Sequence, residues 1–93
     1  MKKVVYASHV TLNPIDGAWY DGNIDGYHIQ AKIFEEPSIL GIDSGRISKL
    51  WIKGNGELLN YDRGWDTPEP WSDRDDYSEE LLSVYTDIID NYN

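Results

Sequence analysis

The stretch Ala18-Trp19-Tyr20-Asp21-Gly22-Asn23-Ile24-Asp25-Gly26-Tyr27-His28-Ile29-Gln30-Ala31-Lys32-Ile33-Phe34 decides the fold. Asp25-Gly26 separates two strand-like runs, and a tight primed turn needs the positive φ that glycine adopts without steric cost. In the second run Tyr27, Ile29, Ala31 and Ile33 share one face, while His28, Gln30 and Lys32 share the other. The spacing predicts a β-hairpin with one apolar side.

Toward the C-terminus, Glu35 to Arg46 holds Pro37, Gly41, Asp43, Ser44 and Gly45 and reads as an ordered loop between strands. Ile47 to Lys53 follows as a strand in which Ser48, Leu50 and Ile52 oppose Ile47, Lys49, Trp51 and Lys53, so both faces carry apolar bulk. Gly54-Asn55-Gly56 is expected to form a three-residue hairpin loop, returning into a strand over Glu57 to Asp62. Toward the N-terminus, a short extra strand is placed at Lys3 to Tyr6. Its connector ends in Asn13-Pro14-Ile15-Asp16-Gly17, where proline and glycine interrupt pairing.

Residues 63 to 75 cannot be regular, because Pro68 and Pro70 lack donors and hold Thr67 and Glu69 extended. The last element is a helix over residues 76 to 92. Asp76 is expected as N-cap with Glu79 at the third helical position, a near match to a capping box. Leu81, Val84, Tyr85, Ile88 and Tyr92 recur at helical spacing, widened by Leu82 and Ile89, with Glu79, Glu80, Ser83, Thr86, Asp87, Asp90 and Asn91 opposite. A helix of this length spans roughly 24 Å at about 1.5 Å per residue, close to the roughly 23 Å of a seven-residue strand. The expected fold is α+β: a four-stranded antiparallel meander, with room for the extra N-terminal strand, covered on one face by the C-terminal helix. The other face keeps aromatic side chains. The N-terminal segment, the Trp65 to Trp71 loop, a second copy or a ligand would have to account for them.

The whole chain of 93 residues fits one domain, and no internal repeat or boundary interrupts it. Four tryptophans and seven tyrosines supply apolar surface that a disordered acidic chain lacks. With no cysteine there is neither a disulfide framework nor a thiolate zinc site, and a reducing cytoplasm is the expected compartment. Val4 to Ala7, interrupted by Ser8-His9, is too short for a signal sequence or a membrane span. The formal charge is −9, and residues 54 to 93 hold eleven acidic against two basic side chains. Long-range repulsion therefore disfavours direct nucleic-acid binding.

Asp21-Gly22-Asn23-Ile24-Asp25-Gly26 matches the opening of a calcium loop, but the twelfth position, where a bidentate glutamate belongs, is Lys32. The hairpin reading is preferred, and neither metal nor cofactor is expected. His9 and His28 lack metal-ligand or nucleophile spacing, and His28 is placed on the polar side of its strand. The acidic run Asp73, Asp75, Asp76, Glu79 and Glu80 is explained by the positive end of the helix dipole. Its sharper alternative is a mimic of nucleic acid that binds a basic protein. The binding candidates are Arg46, Lys49, Trp51, Tyr61, Arg63 and Trp65, since arginine and large aromatics dominate interface energetics. Structural ion pairs of Arg63 with Asp62 or Asp66, and of Arg46 with Asp43 or a helix acid, compete with that reading.

The segments Ala31-Lys32, Pro37-Ser38, Gly41-Ile42, Gly45 to Leu50 and Tyr61 to Asp66 give the stretch Trp19 to Trp71 a resemblance to a family of small proteins of Gram-positive bacteria and their phages. The resemblance implies a cytoplasmic accessory protein without a catalytic role. The function expected is a non-enzymatic binding or self-associating module whose partner is a protein or a second copy, with no membrane contact. A metal-assisted hydrolase built on Asp62, Asp66 and His28 is the rival.

Overall fold

The computed structural model describes residues 10–70 and 76–93. Five antiparallel strands follow one another in sequence order, β1 (Asn13–Asp16), β2 (Trp19–Ile24), β3 (Tyr27–Ile33), β4 (Ile47–Gly54) and β5 (Glu57–Asp62), and a helix α1 (Glu79–Tyr92) ends the chain. The α+β meander expected from the sequence is therefore present with five strands. The fifth is Asn13–Asp16, which had been expected as a connector; the strand expected at Lys3 to Tyr6 lies outside the described residues. Edge strands tolerate proline because one side of their backbone needs no partner, and Pro14 sits in such a strand, paired with Tyr20.

Two tight turns set the register. Asp25 and Gly26 both take positive φ, 52° and 86°, and Asn55 and Gly56 do the same at 52° and 81°. The β4–β5 loop thus has two residues, with Gly54 paired to Glu57, where three were expected. Asn-Gly supplies both positive φ angles of a primed turn, so Gly54 is released into the strand.

Opposite residues share a face. Tyr20, Ala31, Leu50 and Tyr61 form one row, and Gly22, Ile29, Ile52 and Leu59 the next. These rows meet Leu81, Val84, Tyr85 and Ile88 of α1 in one core. Full burial of each large aliphatic side chain contributes roughly 1.5–3 kcal/mol. Between Lys32↔Lys49 and Ile33↔Ile47 the register shifts, so Ser48 is an extra residue in β4. That bulge turns Ile47 inward beside Ser48, and both are buried, although simple alternation had set them on opposite faces.

The helix start differs from expectation. The N-cap is Ser78, whose Oγ accepts from Leu81 N at 3.1 Å, instead of Asp76. The reciprocal carboxylate of a capping box is normally three residues on, but Leu81 occupies that place. Glu57 of β5 fills the role from across the core: its carboxylate accepts from Ser78 N at 2.8 Å, Ser78 Oγ at 2.6 Å and Tyr27 Oη at 2.9 Å. Burial alone would raise this carboxyl, but the Ser78 and Tyr27 hydrogen bonds outweigh it and hold Glu57 below its ordinary value.

Residues 10–12 run beside the helix. Val10 N donates to Asp87 Oδ2 at 2.6 Å and Leu12 N to Tyr92 Oη at 3.0 Å. Gly22 permits this approach, since a Cβ there would lie 2.5 Å from the Thr11 carbonyl oxygen. The two sheet rims differ. β1 is four residues long and contains proline, while at β5 Asn60 N donates to Thr67 Oγ1 and Asp66 N to the Asn60 carbonyl. No helix among the described residues is long and apolar enough to cross a membrane.

Candidate functional site

The residues that alternate with the core rows make the second face of the sheet. One row reads Trp19, Lys32, Lys49 and Asp62; the next reads Asp21, Gln30, Trp51 and Asn60; the third reads Asn23, His28, Lys53 and Leu58. The core cluster, with α1 and the Val10 to Leu12 segment, belongs to the opposite side. Two half-buried indoles and three ammonium groups therefore stand on a polar face. Three of the five lysines and arginines among the described residues stand in these rows, with Asp21 and Asp62 beside them.

A shallow cleft of about 270 Å³ is lined by Trp19, Gln30, Lys49, Trp51, Asn60 and Asp62 of this face together with Leu50 and Tyr61, so three of the six binding candidates, Lys49, Trp51 and Tyr61, border it. Lys32 Nζ and Lys49 Nζ each lie 5.9 Å from the Trp19 ring centroid, and Lys32 Nζ is also 5.4 Å from that of Phe34. The negative face of an aromatic ring attracts a cation at such range. Lys49 Nζ approaches Asp62 Oδ1 at 3.7 Å. His28 meets Trp51 edge-on at 5.5 Å, and its Nε2 lies 3.2 Å from Asp21 Oδ2.

The six binding candidates are divided among three places. Lys49 and Trp51 are on the open face. Tyr61 and Trp65 pack on the helix side, edge-to-face at 4.9 Å, with Trp65 in turn 6.0 Å from Tyr85. Tyr61 Oη donates to the Leu40 carbonyl at 2.9 Å. Burial, with Asp43 nearby, pushes the phenols of Tyr61 and Tyr85 above their ordinary values, as suits neutral core side chains. Arg46 donates from Nη2 to the Tyr92 carbonyl at 2.8 Å, closing the C-terminal end of α1. Arg63 donates from Nε to Asp62 Oδ1 at 3.3 Å. The two arginines thus lie in separate places, Arg46 at the end of α1 and Arg63 beside Asp62 with most of its side chain exposed.

Trp19, Gln30, Lys32 and Lys53 were missed as site residues. The signal was a large aromatic at the phase of a polar face: Trp19 alternates with Asp21 and Asn23, and Trp51 stands between Lys49 and Lys53.

The hydrolytic triad does not assemble. His28 is held by Asp21, Asp62 faces Lys49 and Arg63, and Asp66 accepts from Asn60 Nδ2 at 3.1 Å. Among the described residues no three His, Asp or Glu side chains gather as a metal site. Asp21 to Gly26 is the end of β2 and its hairpin turn. His9, Trp71, Asp73 and Asp75 lie outside the described residues, and Glu79 and Glu80 stand exposed in the first turn of α1.

A family model described as a domain of unknown function (DUF7678) matches residues 18–93. No curated protein and no solved structure matches the chain.

Proposed function

The chain belongs to this family, and from that premise we propose that it is a non-enzymatic binding module whose open sheet face receives a short acidic segment of another protein. The observation that carries this reading is the gathering of Lys32, Lys49 and Lys53 with Trp19 and Trp51 on the face opposite the helix. A four-strand face is about 15 Å across at roughly 4.8 Å per strand spacing. A segment seated within it lies inside one Debye length, about 8 Å, of the lysines and is screened from the acids elsewhere. A duplex would extend past the face and meet the acidic remainder of the chain. Tryptophan supplies the rigid apolar anchor that interfaces favour. The lack of cysteine and the resemblance to small bacterial and phage proteins support an accessory role in the cytoplasm.

Titration with poly-L-glutamate, followed by amide and indole NMR shifts, tests the reading. Shifts confined to Trp19, Trp51 and their cross-strand neighbours are expected, with at least about a tenfold loss of affinity in Trp51→Ala. Shifts centred on α1, no shifts at all, or a concentration-dependent dimer that blocks this face would overturn it.

A further inference from the structure

Lys32 and Lys49 are directly opposite one another on neighbouring strands. Like charges placed that way are destabilising, because their Cβ atoms stand only about 5 Å apart. The arrangement is also poorly compensated. Lys32 makes no ion pair among the described residues, and Asp62, 3.7 Å from Lys49, lies closer to Arg63 at 3.3 Å. Trp19, which faces Lys32 from β2, attracts both ammonium groups to one indole at 5.9 Å. Two cations are thereby concentrated beside Trp19, itself a wall of the cleft, with less than one carboxylate between them.

We infer that Lys32 and Lys49, gathered beside Trp19, are a clamp for one side-chain carboxylate of the acidic partner. The inference rests on the proposed function and fixes its point of charge recognition. Each ammonium ends a flexible stem and can swing onto an oxygen while its methylenes stay on the indole. The Gln30 amide lines the same cleft and can donate a further hydrogen bond. Phosphate recognition typically adds a guanidinium fork or a helix N-terminus. Arg46 is bonded at the end of α1, which belongs to the other face, and Arg63 is held through Nε to Asp62 at the edge of the cleft. The groups gathered at Trp19 are therefore two ammonium point charges, a set suited to a carboxylate.

The test is titration with acetyl-triglutamate amide at fixed ionic strength, reading the Trp19 indole N–H. Saturable shifts are expected in the wild type, with acetyl-triglutamine amide inert. Lys32→Met and Lys49→Met should each lower affinity about tenfold, the worth of one charge-assisted hydrogen bond. Asp62→Asn should tighten binding about threefold by removing the competing carboxylate. Lys32→Met should also raise Tm by about 1–4 °C, because repulsion is relieved; a merely structural lysine would lower it. Unchanged affinity in both methionine variants would overturn the clamp, and so would inorganic phosphate binding more than about tenfold tighter than the peptide. If poly-L-glutamate still binds those variants but not Trp51→Ala, the clamp fails while the binding face stands. If it binds none of the proteins, both fail.

Discussion

The two faces of this sheet come from the same strands, one residue out of phase, and they are finished to different degrees. On the helix side Ile29, Ile52, Leu59, Leu81 and Ile88 are fully buried, and Glu57, Ser78 and Tyr27 hydrogen-bond one another at the helix start. On the other side lysine, glutamine and tryptophan meet in a shallow cleft, held by ring contacts and an ion pair at 3.7 Å. The difference separates the face that carries stability from the face proposed for recognition. Truncation on the first face should unfold the protein, whereas truncation on the second should leave it folded but unable to bind.

The strongest break in that comparison is Leu81→Ala, which empties a fully buried place under the helix. A loss of about 2–5 kcal/mol is expected from urea unfolding. Gly22→Ala acts on the same side by forcing a Cβ against the Thr11 carbonyl, and a cost of about 1–3 kcal/mol should appear in the same assay.

Glu57→Gln should cost about 1–2 kcal/mol at neutral pH, since charge-assisted bonds to Ser78 and Tyr27 weaken. Because the folded carboxyl lies below its ordinary value of 4.5, its contribution is complete above that pH and disappears as pH falls through the lower folded value. Stability of wild type and variant should therefore converge in acid, which urea titration at several pH values checks. The smallest stability effect belongs to the open face. Trp51→Ala should cost about 1 kcal/mol or less by the same unfolding assay while abolishing most poly-L-glutamate binding.

Much of this architecture is legible in the residues. Asp25-Gly26, the clean alternation of Tyr27 to Ile33 and the helical spacing of Leu81, Val84, Tyr85 and Ile88 each specify one structure locally, and each does so in the fold. What escaped depends on partners distant in sequence. Asp76 and Ser78 are both good caps, and Glu57, over twenty residues earlier, decides between them. The strand at Asn13–Asp16 exists because β2 offers it an edge.

The site was half visible for a reason of register. A three-residue loop at Gly54 to Gly56 would set Lys49 opposite Tyr61, gathering Lys49, Trp51 and Tyr61 on one face. The observed two-residue turn sets Lys49 opposite Asp62 and Leu50 opposite Tyr61. A slip of one residue exchanges the faces of β5, which is why Tyr61 falls in the row of Leu50 and packs with Trp65 on the helix side.

The short rims carry a consequence for crowding. With four residues and a proline on one border and Thr67 and Asp66 bonded to Asn60 on the other, the ladder offers a short foothold for strand addition, the usual route by which β-rich chains coalesce into fibrils. Concentrated solutions should accordingly stay free of thioflavin-positive material, and encounters between molecules are left to their broad surfaces.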